Sequence, residues 1–334
     1  MLGLMLPTAG NAAVQISAKP TANMNCSAGV CTPTAKKAVL NVGDLATMLA
    51  SGDATVKSDS VAQDIEIDAK LSWTSSNRLT LDAWRSIIVN KPVDVAGQGG
   101  LTVTTNDGGA NGDFRVSGGQ IKFWDIKSRL IINGGRYVLE NSFRALIHDL
   151  KQNGDANYAL AKAMDAGKKN VFVASPIAFV GGNLEGLGNK ISNLTIDSGP
   201  NEPSGYEGLV GLLAGNIRNL GLDHVTISGT TSDVGALVGY MNSGEISNCF
   251  ADGSISVTGS HVGGLVGIDY SWGPVKNSSA KVSITTARES DVGGLIGKIQ
   301  GVEEGGGIID QSYATGAVSG GDEAHVGGLV GNSL

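Results

Sequence analysis

Val262-Gly263-Gly264-Leu265-Val266-Gly267 is one of five copies of a short glycine-rich motif in the second half of the chain. The other copies occupy residues 206–211, 234–239, 292–297 and 326–331. The final glycines of successive copies are separated by 28, 28, 30 and 34 residues. Repetition at this period is typical of proteins in which each repeat stacks on its neighbours to bury a continuous core. The motif therefore predicts a repeat architecture.

Strand-like segments with alternating apolar residues return between the glycine motifs, for example residues 254–257 and 282–285. One such repeat cannot bury its apolar side alone, whereas stacked repeats can, with strands of neighbouring repeats about 4.8 Å apart. Glycine permits tight corners and close approach of neighbouring backbones. We therefore predict an all-β solenoid with about three short strands in each period.

An asparagine returns at one position of the repeat, in phrases such as Ile246-Ser247-Asn248-Cys249. Side-chain amides at equivalent positions of stacked strands hydrogen-bond to each other along the stack. The sequence thus predicts a structural ladder rather than a binding site. Its members are Asn219, Asn248 and Asn277, with Gln311 as an imperfect fourth.

The composition excludes some classes of function. The chain has 334 residues, 50 glycines, 16% charged residues and a net charge of −7. An acidic chain without basic stripes is a poor nucleic-acid binder, so no nucleic-acid partner is expected. No segment approaches the roughly 18 consecutive apolar residues of a membrane-spanning helix.

Residues 1–36 are interpreted as the remnant of a signal peptide followed by a flexible lead-in. A short apolar stretch precedes small residues, and Gly10 and Ala12 suit a cleavage site, although a basic region is missing; a disordered tail is the alternative. Cys26 and Cys31 are close enough for a disulfide in an oxidising compartment, and a pair of free thiols also fits. Cys249 lies inside a repeat and is expected to be a small buried hydrophobe.

Three further segments follow. Residues 37–136 contain a short helix at 42–50 and then short strands separated by Gly, Asn and Asp turns, which predicts a first solenoid segment. In residues 137–168, apolar residues recur at helical spacing on both sides of Asn153-Gly154-Asp155, so two short helices are expected at about 137–166. Residues 169–334 form the repeat solenoid, and the absence of a polar final repeat suggests a truncated chain.

Two groups of polar residues are candidates for chemistry. Asp64, Glu66 and Asp68 alternate on one strand face. Glycosidases use such carboxylates in pairs, and an exposed strand face has the same pattern. His261 and His325 each precede a glycine motif, and Asp233 and Asp291 take that position in other repeats. This row of residues fits either a cation site or a solvated corner.

Tyr270 and Trp272 lie in an insertion between strands of one repeat. Exposed aromatic side chains in a loop suit the stacking of a sugar ring, and packing at a corner is the alternative. The sequence contains no recognisable nucleophile, metalloprotease or phosphate-binding motif. Accordingly, no catalytic, cofactor or metal residue is assigned, and the chain is expected not to be an enzyme.

The Gly-Leu-Val-Gly copies resemble the GLUG repeat of large bacterial adhesins and some surface peptidases. Residues 179–196 resemble the segment that precedes such arrays, and residues 71–109 resemble passenger segments of filamentous-haemagglutinin-like exoproteins. Together the similar segments cover residues 38–334. The Asn-Pro-Asn motifs of the two-partner secretion domain are absent from this sequence, which places the segment downstream of such a domain or with another exporter.

The resemblance implies a right-handed parallel β-helix, exported to the surface of a Gram-negative cell or secreted through an outer-membrane exporter. It further implies a structural or adhesive stalk that contacts a glycan or protein on a host or neighbouring cell. The alternative is a β-helix enzyme that degrades polysaccharides, or the repeat region of a surface peptidase. Clustered carboxylates in a groove would favour the enzyme.

Overall fold

The computed structural model describes residues 12–109, 111–167, 169–199, 205–287, 289–300 and 307–334. The signal-peptide interpretation of residues 1–11 therefore lies outside the described residues. The chain divides into two compact units, Met1–Leu139 and Glu140–Leu334. Both units are mostly β, with strands that pair largely in parallel. The boundary falls within the strand Gly135–Glu140, whereas the sequence suggested boundaries at 36, 136 and 168.

The first unit has one described helix, α1 (Val42–Ser51). Asn41 caps α1 by accepting hydrogen bonds from the amides of Gly43 and Asp44, and the helix buries Leu45 and Leu49. The strands of this unit are β1 (Ala13–Ser17), β2 (Met24–Ser27), β3 (Val30–Pro33), β4 (Lys37–Asn41), β5 (Ala54–Lys57), β6 (Asp64–Ile67), β7 (Leu71–Trp73), β8 (Arg78–Asp82), β9 (Ile87–Val89), β10 (Val93–Val95), β11 (Gly100–Thr104), β12 (Phe114–Val116), β13 (Ile121–Phe123), β14 (Leu130–Ile132) and β15 (Gly135–Glu140).

The strands of the first unit form one sheet in the order β12-β9-β6-β1-β4 and a second in the order β13-β10-β7. A third series, β2-β3-β5-β8-β11-β14-β15, runs in the same unit. In this series Leu79 pairs with Leu101 and Leu81 with Val103, and all four side chains are buried. Their burial in register follows from the period of two in side-chain direction along each strand.

The expectation of a flexible lead-in at residues 14–36 is wrong for the described residues. Strand β1 lies between β4 and β6, and its Val14 and Ile16 are fully buried. Strands β2 and β3 form an antiparallel hairpin that brings Cys26 opposite Cys31, where they form a disulfide. The alternation of apolar residues in β1 is too short to stand out from its polar surroundings in the sequence.

The second unit also has one described helix, α2 (Phe143–Gln152). Ser142 caps it by accepting a hydrogen bond from the Ala145 amide, and Leu146 and Leu150 are buried. The strands are β16 (Tyr158–Leu160), β17 (Met164–Asp165), β18 (Ile177–Val180), β19 (Asn183–Glu185), β20 (Lys190–Ser192), β21 (Thr195–Asp197), β22 (Tyr206–Glu207), β23 (Val210–Leu213), β24 (Asn216–Arg218), β25 (Gly221–Thr230), β26 (Asp233–Gly235), β27 (Val238–Met241), β28 (Glu245–Ser247), β29 (Phe250–Thr258), β30 (His261–Gly263), β31 (Val266–Asp269), β32 (Val275–Lys276), β33 (Ser279–Thr286), β34 (Asp291–Gly293), β35 (Ile296–Ile299), β36 (Ile309–Asp310), β37 (Tyr313–Ala314), β38 (Val318–Ser319), β39 (His325–Gly327) and β40 (Val330–Ser333).

Each complete repeat contributes strands to the same four sheets in the same order. Strands β26, β27, β28 and β29 pair in parallel and in register with β30, β31, β32 and β33 of the next repeat. The repeat therefore has four strands rather than the three expected. The difference arises because the glycine motif contains a corner and contributes two strands, one before it and one after it.

The motif residues Leu237, Leu265 and Leu295 are fully buried in the core of the second unit, as are Val234 and Val262. The same positions in the last motif are exposed, with Val326 at 50% and Leu329 at 37%. A motif residue is thus buried where both adjacent repeats are present, which is how stacking generates the core.

The prediction of a second short helix around residues 159–164 is wrong. That segment contains β16 and β17, and Tyr158 pairs in parallel with Leu184 of β19. Residues Tyr158, Ala159 and Leu160 are all buried. A short run that is buried on every side has no diagnostic periodicity, so helix and strand could not be distinguished from the pattern.

Close packing of backbones explains the last glycine of the motif. A Cβ added at Gly267 would lie 2.5 Å from the Gly239 carbonyl oxygen and 2.5 Å from the Val234 nitrogen. Since backbone cannot move aside cheaply, we expect Gly267→Ala to lower the free energy of unfolding by about 1–3 kcal/mol. Gly211→Ala is the matched control because its nearest contact is 3.1 Å. Urea unfolding should show the larger loss for Gly267→Ala, and equal losses would contradict this packing.

Candidate functional site: a polar and aromatic strip on the repeats

Strands β22, β26, β30, β34 and β39 place one row of polar residues in register. Tyr206 pairs with Asp233, Asp233 with His261, His261 with Asp291, and Asp291 with His325. We call Asp233, His261, Asp291 and His325 the Asp–His row. The repeat period alone places these four residues side by side, because each precedes a copy of the same motif.

The side chains of the Asp–His row contact each other. Nδ1 of His261 lies 2.5 Å from Oδ1 of Asp233, and Nδ1 of His325 lies 2.8 Å from Oδ1 of Asp291. The same Asp291 oxygen accepts a hydrogen bond of 3.1 Å from Asn332. Both aspartates are buried, whereas the His325 side chain is 71% exposed. The row therefore contains two hydrogen-bonded Asp–His pairs, and Nε2 of His261 lies 3.7 Å from Oδ2 of Asp291 between them.

An aromatic stack begins at Tyr206, which pairs in register with Asp233, the first residue of the row. The Tyr206 and Tyr240 ring centroids are 4.6 Å apart, and those of Tyr240 and Tyr270 are 5.3 Å apart with an interplanar angle of 21°. We call these three residues the tyrosine stack. Burial, with smaller contributions from Tyr270, Tyr206 and Asp233, raises the pKa of the Tyr240 hydroxyl above its ordinary value. The stack and the Asp–His row thus form one continuous strip.

A buried carboxylate shapes the turn that carries Tyr270 and Trp272. Asp269 holds the register position of Met241 and Ile299 and is fully buried. Its Oδ1 accepts a hydrogen bond of 2.7 Å from the Ser271 amide, and burial raises the pKa of this carboxyl. The turn places Trp272 in solvent at 58% exposure.

The strip combines two chemistries that suit a carbohydrate. Carboxylates accept hydrogen bonds, and imidazole and amide groups both donate and accept them, so together they match a sugar hydroxyl. Aromatic side chains provide an apolar surface with a polar group at one end. Exposed groups of both kinds are present in the strip and in the adjoining turn, namely Tyr206 at 43%, Trp272 at 58% and the His325 side chain.

Of the predicted glycan contacts, Tyr270 lies in the tyrosine stack and Trp272 lies in the adjoining turn. Sequence reasoning missed Tyr206 and Tyr240. Aligning the repeats does not reveal them, because Tyr240 holds the register position of Ile268, two residues before Tyr270. The rings meet because Tyr206 and Tyr240 lie on strands of two different sheets that pack closely.

The asparagine ladder lies on another part of the repeats, at the turns that follow β24, β28, β32 and β36. Asn219, Asn248, Asn277 and Gln311 have φ values of 52°, 55°, 49° and 47°. Asparagine adopts this left-handed conformation more readily than most residues. The Asn248 amide donates to Oδ1 of Asn219. The position thus selects asparagine for its backbone conformation as well as for its side chain.

The three carboxylates of β6 and its end are each engaged by a different neighbour. Asp64 is buried and accepts both Nε (2.8 Å) and Nη2 (2.5 Å) of Arg85. Glu66 accepts from Gln15 and Asp68 from Asn90. Burial raises the pKa of Glu66. Since Asp64 forms a bidentate ion pair, these side chains resemble a structural network more than a catalytic pair.

Cys249 is buried, and burial raises the pKa of its thiol to about 12, so the thiol is unreactive. Among the described residues, no three His, Cys, Asp or Glu side chains are placed to hold a metal ion. No helix in the described part of the chain is long and apolar enough to cross a membrane.

The comparisons with known proteins give limited matches. No family model matches the chain. Halomucin from Haloquadratum walsbyi is 40% identical over 103 residues, which is 30% of this chain, and the chain spans 1% of the length of Halomucin. A candidate immunoglobulin A1 protease from Bacteroides ovatus, known from a crystal structure, has a TM-score of 0.32 and 18% identity. That likeness covers 86% of this chain and 81% of the other.

Proposed function

We propose that this chain is a segment of an exported bacterial surface protein, and that its polar and aromatic strip mediates attachment to a glycan. The observation that carries the proposal is the tyrosine stack in line with the Asp–His row. Together they place aromatic rings and hydrogen-bonding groups next to each other across successive repeats. A binding site of this kind is preformed, because the stacked repeats fix the position of each contacting group.

The proposal includes a right-handed parallel β-helix for the repeats. Its support is that successive repeats visit the same four sheets in the same order and pair in parallel. Export is supported by the disulfide between Cys26 and Cys31, since disulfides persist in oxidising compartments. The local similarity to Halomucin does not indicate which ligand this chain binds. Passage through the outer membrane of a Gram-negative cell is the route that the GLUG resemblance implies.

The alternative of a polysaccharide-degrading enzyme has weaker support. Asp64 forms an ion pair with Arg85. Glu66 accepts a hydrogen bond from the side-chain amide of Gln15, and Asp68 accepts one from that of Asn90. Glycoside hydrolysis needs two carboxyl groups on either side of the scissile bond. The two buried aspartates of the strip, Asp233 and Asp291, each contact a histidine instead.

Glycan binding can be tested with the purified chain on an array of neutral and acidic oligosaccharides. We expect binding to a subset of neutral sugars, because the buried carboxylates of the strip disfavour a negatively charged ligand. Trp272→Ala and Tyr206→Ala should each weaken binding about tenfold or more, as expected for central aromatic contacts.

Trp124→Ala is the matched control, since Trp124 is 71% exposed and lies in the other unit. This control should bind like the unmodified chain. The proposal fails if no glycan binds, or if the Trp272→Ala and Tyr206→Ala variants both bind as tightly as the Trp124→Ala control. Release of shortened oligosaccharides from the array ligands would instead favour the enzyme.

A further inference from the structure

A cleft of about 670 Å3 opens between helix α2 and residues 165–172 of the second unit. One wall is the first half of α2, and the other is made of residues 165–166 and 169–172. We call it the α2 cleft. Its lining residues are different from those of the strip. Its volume lies in the range of roughly 300–1,000 Å3 that is usual for small-molecule sites.

Part of the lining of the α2 cleft is apolar. Phe143 and Ile147 lie one turn apart on the same face of α2. The Phe172 ring meets that of Phe143 edge to face, with centroids 6.0 Å apart and an interplanar angle of 88°. Phe143 is buried, whereas Ile147 and Phe172 are half-buried and Val171 is 57% exposed. The cleft therefore offers aromatic and aliphatic surface on which a further ring can pack.

The wall opposite α2 is held in place by hydrogen bonds. The Phe172 amide donates to the Thr195 carbonyl at 2.9 Å, and the Phe172 carbonyl accepts from the Asp197 amide at 2.8 Å. Nδ2 of Asn170 donates to the Ala166 carbonyl at 2.9 Å. Because both ends of this wall are bonded to their surroundings, the cleft is largely preformed, as small-molecule sites usually are.

The lining of the cleft carries an excess of positive charge. Arg144 and Lys169 each contribute a positive charge, and Asp165 contributes one negative charge. Both cations are exposed, and within the described residues neither forms an ion pair. Asp165 instead accepts hydrogen bonds from the Gly167 amide at 2.8 Å and from Nδ2 of Asn193 at 3.0 Å. The two cations are thus available to an anionic ligand.

The charge and the apolar surface together select the ligand. A guanidinium presents parallel N–H donors that match the two oxygens of a carboxylate. The net excess of one positive charge suits a ligand with one negative charge. A dianion would meet additional repulsion from Asp165. The ligand must also carry a flat apolar body to cover Phe172 and Ile147.

We propose that the α2 cleft binds a small aromatic carboxylate. The ring of this ligand packs against Phe143 and Phe172, and its carboxylate pairs with Arg144 and Lys169. The site is separate from the strip, so this inference does not depend on glycan binding.

Calorimetric titration of the full chain with naphthylacetate tests the site. We expect naphthylacetate to bind at least about tenfold more tightly than naphthylacetamide, which keeps the rings without the charge. The same margin is expected over acetate, which keeps the charge without the rings. Raising the salt concentration from about 0.05 M to about 0.5 M should weaken the binding of naphthylacetate, because salt screens exposed charges.

Arg144→Gln/Lys169→Gln should weaken the binding of naphthylacetate about tenfold. Lys151→Gln/Lys162→Gln is the matched control, since it removes the same charge at two exposed positions of the same unit outside the cleft. This control should bind like the unmodified chain. The proposal is overturned if naphthylacetate does not bind, if naphthylacetamide or acetate binds as tightly, or if the two double variants weaken binding equally.

Discussion

A Glu207→Gln variant is expected to unfold about 5–10 °C above the unmodified protein at about pH 8, and at nearly the same temperature at about pH 4. Glu207 pairs in register with Val234, so it occupies a position at which other repeats have a buried valine. Its side chain is 4% exposed, and Oε2 has no hydrogen-bond partner among the described residues. An ionised carboxylate in this environment is costly.

The sign of the effect follows from the direction of the pKa shift. Burial raises the pKa of Glu207 from 4.5 to about 7, even though side-chain hydrogen bonds with Ser198 and Thr231 act to lower it. The folded state therefore holds its proton more tightly than the unfolded chain, and stability falls as the pH rises from about 4.5 to about 7. The full penalty, about 3 kcal/mol, is present above that range and absent below it. Glutamine removes the charge and keeps the shape.

Calorimetric unfolding at the two pH values measures this difference. Glu323→Gln is the control, since Glu323 is exposed in the same unit. That variant should unfold like the unmodified protein at both pH values. An equal gain for Glu207→Gln at pH 4 and pH 8 would show that the benefit is not due to removal of the charge.

The glycine motif predicted the stacking of the repeats because two requirements of close packing are visible in its residues: a glycine where backbones approach each other, and apolar residues that face the core. Gly267 marks the place where a Cβ would meet backbone of the preceding repeat. Leu265 and Val266 mark the residues that face the core. These requirements recur in every repeat, so one period of sequence determines the pairing of the next.

The strip could be predicted only in part. The Asp–His row follows the repeat period, so the sequence predicted it as a row. Its hydrogen bonds depend on the burial of Asp233 and Asp291. That burial could not be predicted from the sequence, because aspartate is usually exposed. The tyrosine stack joins Tyr206 and Tyr240, on strands of two different sheets, with Tyr270 in a turn, and its members do not share a repeat position. Such a contact depends on how the sheets pack, which periodicity does not encode.

The most severe single substitution in the repeats is expected to be Leu265→Ala. Leu265 is fully buried in the middle of the array, with repeats on either side of it. Truncating a buried leucine removes its transfer free energy and leaves a cavity that the surrounding strands cannot fill. The expected loss is about 2–5 kcal/mol in the free energy of unfolding.

Leu329 provides the matched comparison, because it holds the same motif position and is 37% exposed. Leu329→Ala should therefore cost about 1 kcal/mol or less, since much of its surface is already in water. Denaturant unfolding of both variants measures the ratio directly. If the two substitutions cost the same, burial between adjacent repeats is not what stabilises the motif. A large cost for Leu265 alone would identify stacking, rather than the motif sequence itself, as the source of stability.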